Sequence, residues 1–535
     1  MKDIPTSRRQ FVASAIAASA AAASRPATAA APPPVPRALY GAGPDGQRVA
    51  DLGDGTYRNP VLAGDHADPT ILKDGADYYL TCSSFNLSPG ALIWHSTDLV
   101  NWSPLVAALT KPLGTVWAMD LVKHAGRYFI YIPVLQPSRV AVYVIHADDI
   151  RGPWSEPIDL GLDGCIDPGH AVGEDGRRHL FFNGIRRIGL TDDGLATVGK
   201  LEHAHTPWRY PEGWVVEMFA PEGPKILRRG EYFYMIAAVG GTSGPPTSHM
   251  VTVARSRSIY GPWEDCPANP VVHTASRAEP WWSRGHASVV QGPGGDWWMA
   301  YHGYENGYRT LGRQLLLEPI EWTHDGWLKA KGGTLDRPLA KPRGGRPSAG
   351  PPALSDDFTQ DRLGLQWCFF DPAASEPPRL RHEAGQLVLA ARGKQLADSS
   401  PLLCTAGDHS YQAEVELEIS PGAKGGLALF YDAHAHVGVG MGGGKLLTFH
   451  NGDEPAWLTQ PLDGGRFRLR VTNREHDVTF HYAADDGPWL QHSWQREVSG
   501  FHHNVFNGFL ALRVAIFAAG TGEVRFRNFR YRSLA

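Results

Sequence analysis

The 535-residue sequence carries no excess of charge of either sign. Its 51 basic and 55 acidic residues leave a net charge of −4, which gives no electrostatic case for nucleic acid or an anionic membrane surface. Cysteine is scarce as well. Cys82, Cys165, Cys266, Cys368 and Cys404 are scattered, with no CxxC pair and no zinc-ligand spacing. An odd number also excludes a fully paired disulfide framework, so they read as small buried apolar residues. Long apolar helical stripes are few, which argues against a helical bundle. The Ala-rich run from Phe11 to Ala23 is too short and too weakly apolar for a lasting membrane anchor.

What the sequence does have is 60 Gly, 42 Pro and 17 Trp, the composition of short strands joined by turns. Its length is too great for one core, so two folded domains are expected. Ser7-Arg8-Arg9-Gln10-Phe11-Val12 is a twin-arginine pattern, and Ala27-Thr28-Ala29 follows as an A-x-A cleavage site. A basic start, a short apolar run and small residues suit export and cleavage by a signal peptidase. Residues 1–31 therefore read as a twin-arginine signal peptide and 32–56 as a linker. A periplasmic or secreted protein is expected.

The middle of the chain repeats. A Gly-containing turn followed by an aromatic strand recurs five times, at Asp77-Tyr78-Tyr79-Leu80, Arg127-Tyr128-Phe129-Ile130, Arg178-His179-Leu180-Phe181, Glu231-Tyr232-Phe233-Tyr234 and Asp296-Trp297-Trp298-Met299. The interval of roughly 50 to 65 residues is that of a propeller blade, so five units imply five blades. About ten residues before each marker stands Asp68, Asp120, Asp167, Glu222 or His286. The first strand of a blade lines the central channel, so these five side chains would converge at one mouth of it. Any one Asp-Pro is ordinary turn chemistry. Four carboxyl groups and a histidine in one phase are not, because gathering like charges is costly unless they are used.

Asn59-Pro60-Val61, His66-Ala67-Asp68-Pro69-Thr70-Ile71, Ser83-Ser84-Phe85, Ile166-Asp167-Pro168, Pro221-Glu222-Gly223-Pro224, Gly285-His286-Ala287, Tyr301-His302-Gly303 and Leu311-Gly312-Arg313-Gln314 together resemble glycoside hydrolase family 43. They span about Asn59 to Trp327 in the family's order. The resemblance implies a general base at Asp68, a general acid at Glu222, and Asp167 as the carboxylate that orients Glu222 and keeps its pKa high. Such a split of two carboxyl groups is what glycoside cleavage requires. It implies Arg313 as a holder of sugar hydroxyls and Phe85 as part of the apolar wall around the terminal sugar. His286 is implied at the channel floor, where family members often hold calcium or water. No cofactor is needed for the chemistry. Two departures stand out: Ala67 where the family often has Pro, and Trp117-Ala118-Met119-Asp120 where it often has Trp-Ala-Pro. The second puts Asp120 in a substrate-facing position, as a ligand contact or a turn residue.

The five-bladed propeller is expected over residues 57–342 and a Gly/Pro-rich linker over 343–354. Residues 355–535 alternate with period two, as in Tyr411-Gln412-Ala413-Glu414-Val415-Glu416-Leu417, and argue a β-sandwich. This part resembles the concanavalin-like jelly roll appended to many family 43 xylosidases, which can close one side of the pocket with a loop. Gly442-Gly443-Gly444 reads as such a loop or as a plain hairpin turn. The fold class expected is thus all-β, a propeller followed by a jelly roll. Two functions follow: an exo-acting, inverting hydrolase that releases terminal xylose or arabinofuranose from plant polysaccharide, or a carbohydrate-binding propeller without catalysis. The presence of Asp68, Asp167 and Glu222 together favours the enzyme, since a binder has no use for an acid/base pair. The motifs separate neither the two pentoses nor a galactan target.

Overall fold

The computed structural model describes residues 39–534. The expected signal peptide lies outside the described residues, and so does the start of the expected linker. The rest of that linker is folded. Gly41–Ala42 pairs with Arg48–Val49, and Arg48 forms an ion pair with Glu305 at 2.8 Å and donates to the Gly407 carbonyl. A buried guanidinium with partners in both domains cannot sit in a loose tether, so this segment is part of the fold.

Five antiparallel sheets follow in chain order, each a meander of four principal strands. Their innermost strands are Thr70–Asp74, Asp120–His124, Gly169–Val172, Glu222–Arg229 and Trp281–Gln291. The second strands, such as Arg127–Leu135 and Tyr232–Val239, are buried almost end to end. Sheets packed face to face explain this, because a middle strand then has a neighbouring blade on each side. The packing runs in a ring. Ile93 and Ile130 belong to one cluster shared by the first two blades, and Tyr131 and Leu180 to one shared by the next two. Phe181 and Phe233, Tyr234 and Met299, and Trp298 and Tyr78 belong to the clusters that close the circle. The closure is tied by backbone: Val61 and His66 donate to the Leu315 and Arg313 carbonyls of the fifth blade.

The C-terminal part is a sandwich of an eight-stranded and a seven-stranded sheet. Ser410–Ile419 shows the reason: every second side chain is buried, while Glu414 faces Arg470 and Glu418 faces Arg525 on the outer surface. The sandwich is not separate from the propeller. Its larger sheet ends in Leu87–Ser88, a strand of the first blade, paired with Phe369 and Phe370. Gly443 and Gly444 form the two-residue turn of an ordinary hairpin, with Gly442 opposite Lys445 and positive φ at both. The loop that reaches the channel lies elsewhere, around His503–Phe509. All five cysteines are free, four of them buried. Among the described residues no helix is long and apolar enough to cross a membrane.

Candidate active site

Three of the five channel residues, Asp68, Asp167 and His286, have positive φ of 58°, 58° and 59°. Side-chain-bearing residues adopt that conformation at a cost, and such strain gathers where a side chain must be aimed. Here all three turn inward and are buried.

Asp68 stands in a cationic and donor-rich corner. Arg313 Nη1 donates to its Oδ1 at 2.9 Å, and Ser83 Oγ donates to its Oδ2 at 2.6 Å. His302 Nδ1 accepts the Asp68 backbone N–H at 3.0 Å and lies 3.1 Å from Oδ1, and His286 Nδ1 lies 3.5 Å away. Burial by itself would raise the carboxyl. Arg313, foremost among the groups that oppose this, outweighs it and holds Asp68 well below the usual carboxylate range.

Glu222 has the opposite surroundings. Among the described residues no Lys or Arg pairs with it, and the His249 ring, 3.8 Å away, is held neutral, first by burial and then by the neighbouring His302 and His286. Burial, followed by the negative charges of Asp167 and Asp68, pushes Glu222 well above the ordinary range. Yet 21% of its side chain remains open, so a ligand can reach its proton. Asp167 lies between the two. Burial and the Asp68 charge push it up to about 7, and it accepts the Gly223 N–H beside Glu222 at 3.2 Å. The surroundings of the three carboxyl groups thus favour the charged form at Asp68 and the protonated form at Glu222, with Asp167 pushed up to about 7 between them.

Residues 57–328 match the family model for glycosyl hydrolases family 43, and residues 355–532 match the beta-xylosidase C-terminal concanavalin A-like domain. The chain belongs to glycosyl hydrolases family 43. A non-reducing end α-L-arabinofuranosidase of Bacteroides ovatus is 27% identical over 88% of this chain and 93% of its own length. A xylan 1,3-β-xylosidase of a Vibrio species is 30% identical over 71% and 78%. The crystal structure of a family 43 protein of Bacillus licheniformis superposes with a TM-score of 0.78 at 28% identity, covering 89% of this chain and all of the other. The chain is a glycosidase, and its substrate is a carbohydrate.

Within this family 43 site, Arg313 and Phe85 share one wall with a residue that sequence reasoning passed over. The Arg313 guanidinium lies 5.5 Å from the Phe85 ring and 5.2 Å from Phe509 of the sandwich, and the two rings stack at 6.4 Å. Arg313 Nε is buried without a hydrogen-bond partner, a donor free for a hydroxyl. Asp120 departs from expectation. Its oxygens accept from Lys225 Nζ at 2.8 Å, from Thr70 Oγ1 at 3.0 Å and from the His170 N–H at 2.7 Å. Both oxygens are occupied by the protein, so Asp120 serves as counterion to a buried lysine rather than facing substrate. Lys225 also donates to the Met119 and Pro168 carbonyls, joining three blades beneath Asp167.

His286, His249 and Glu222 bring their ligand atoms within 4.8 Å of one another, and His286 Nε2 and both His249 nitrogens are buried without partners. These side chains do not fit calcium, which asks for six to eight oxygens. They offer two imidazoles and one carboxyl, and the oxygens of Asp68 are already engaged. An ion here would also hold Glu222 ionised, against its surroundings. His302 had a signal in Tyr301-His302-Gly303. His249, Lys225 and Phe509 had none, since their partners are distant in sequence.

Proposed function

We propose that this glycosidase is exo-acting and inverting, and that it removes terminal β-D-xylose, α-L-arabinofuranose or both from plant hemicellulose or pectin side chains. The observation that carries the reading is the opposite surroundings of Asp68 and Glu222 in one channel: Arg313 and Ser83 donate to Asp68, while Glu222 meets a neutral ring and the charge of Asp167. Asp68, ionised, draws a proton from water as that water attacks the anomeric carbon. Glu222, protonated, gives its proton to the departing glycosidic oxygen. Asp167 keeps Glu222 protonated by its charge and holds the Gly223 N–H beside it, and Arg313 Nε offers a hydrogen bond to a sugar hydroxyl. The wall built by Phe85 and Phe509 supports exo action, because a mouth closed on one side suits a chain end. The names of the relatives support a pentose.

Proton NMR of the first sugar released tests the stereochemistry. Inversion predicts the anomer opposite to the substrate's, and initial retention would remove Asp68 from the role of base. The twin-arginine pattern supports export. N-terminal sequencing of the exported protein should find a start just after Ala29 or Ala31, and an intact Met1 there would refute it.

A further inference from the structure

One ion pair between the two domains is buried more deeply than any role as surface glue demands. Arg513 of the sandwich donates through Nη2 to Asp65 Oδ2 at 2.8 Å, with 3% and 2% of the two side chains exposed. A buried pair of this kind gains little net stability, since both charges lose their hydration. It is better understood by what it holds in place.

We propose that the Asp65–Arg513 pair is a latch through which the sandwich fixes Arg313 over the catalytic base, a proposal that rests on Asp68 being that base. Asp65 is bifunctional. While Oδ2 takes Arg513, Oδ1 accepts the backbone N–H of Arg313 at 3.3 Å. That approach is open because Gly312 has φ +75°, and any Cβ there would lie 2.6 Å from Oδ1. The Arg313 carbonyl is held in turn by the His66 N–H at 2.8 Å. The short turn Arg309–Leu311 just before it is gripped from the sandwich, where Leu512 N–H donates to the Thr310 carbonyl at 2.8 Å. Arg513 braces the same sandwich loop, donating to the Ala511 carbonyl at 3.2 Å and to Thr405 Oγ1 at 3.3 Å. Four residues before Arg513, Phe509 presses on the Arg313 guanidinium. Both the backbone and the side chain of Arg313 are thus set by the second domain.

The chemical consequence runs through charge. Asp68 is faced by Arg313, His286 and His302, and across the channel by Asp167 and Glu222; the Cys82 thiol lies behind it. Both histidines are held neutral by burial, so Arg313 is the one permanent positive charge among these groups. If it withdraws, Asp68 becomes easier to protonate. Asp65 and Arg513 are positioning residues, and they touch no reacting atom.

The test uses the full-length chain and a nitrophenyl β-xyloside or α-arabinofuranoside, whose good leaving group needs little help from Glu222. Asp65→Asn, Arg513→Gln, Arg513→Lys and the milder Thr405→Val are compared with the unaltered protein by kcat/KM across pH and by melting temperature. The acid limb should move to higher pH by about one unit in Asp65→Asn, in keeping with the loss of part of a close opposite charge, and in the same direction in Arg513→Gln. Arg513→Lys should recover part of the shift, and Thr405→Val should show a smaller one. A uniform loss at every pH, or a lower melting temperature with an unmoved limb in Asp65→Asn and Thr405→Val, overturns the latch. Asp68→Asn is measured beside them. Its inactivity together with an unmoved limb refutes the latch alone, whereas its retained turnover takes the latch down with the base assignment.

Discussion

Opposite walls of the channel carry the same kind of side chain and give it opposite states. Asp68 is surrounded by Arg313, Ser83 and two histidines. Glu222 meets a neutral ring at 3.8 Å and the negative field of Asp167. Asp68 is the more buried of the two, with 8% of its side chain exposed against 21% for Glu222, and burial alone would raise it further, so the partners make the difference. The difference teaches that the wall, more than the carboxyl group, sets which residue is acid and which is base.

The strongest way to break this contrast is to remove the charge from the cationic wall. Asp68→Asn keeps shape and loses the base, and turnover should fall at least about 100-fold on every substrate, since general acid–base assistance is typically worth 10²–10⁴-fold. Next in size is Glu222→Gln, with a similar loss on xylo-oligosaccharides and a clearly smaller one on nitrophenyl pentosides. Equal losses on both substrate types would mean that Glu222 is not the proton donor. Asp167→Asn sharpens the comparison. It removes a negative charge that raises Glu222, so the Glu222 pKa falls and its proton is lost at lower pH. The alkaline limb of kcat should therefore move to lower pH, with about a tenfold loss at the slightly alkaline side. A shift to higher pH would reverse the assigned sign. The smallest effect on rate belongs to Asp120→Asn, which weakens the hold on buried Lys225. It should cost about 1–3 kcal/mol of stability, the range for a weakened buried charged hydrogen bond, seen in calorimetry with turnover little changed.

Much of this was legible in the chain. The five aromatic hairpins mark the blades because each middle strand must bury both faces, and that demand writes itself into consecutive residues such as Tyr128 to Val134. Asp68, Asp120, Asp167 and Glu222 fall in phase because each stands at or just before the start of its inner strand, while His286 lies within Trp281–Gln291. What sequence could not show is which groups meet across the ring. Lys225 reaches Asp120 over 105 positions and Arg513 reaches Asp65 over 448, and no local pattern records either pairing. Asp120 is a case in point: its neighbours in sequence point to the mouth, while its partner Lys225 comes from the fourth blade. The glycine run at 442–444 and the loop bearing Phe509 were told apart only by register.

The strand Leu87–Ser88 bears on how this protein can be cut. It gives the propeller's backbone to the outermost position of the sandwich sheet, opposite Phe369 and Phe370. A propeller trimmed at the glycine- and proline-rich connection would therefore bare an unpaired strand edge next to Phe85, which is 2% exposed in the whole chain. An open edge beside an uncovered aromatic face is a template for other chains. The trimmed half should precipitate or pair with itself, and anyone wishing to shorten this enzyme would have to redesign that edge first.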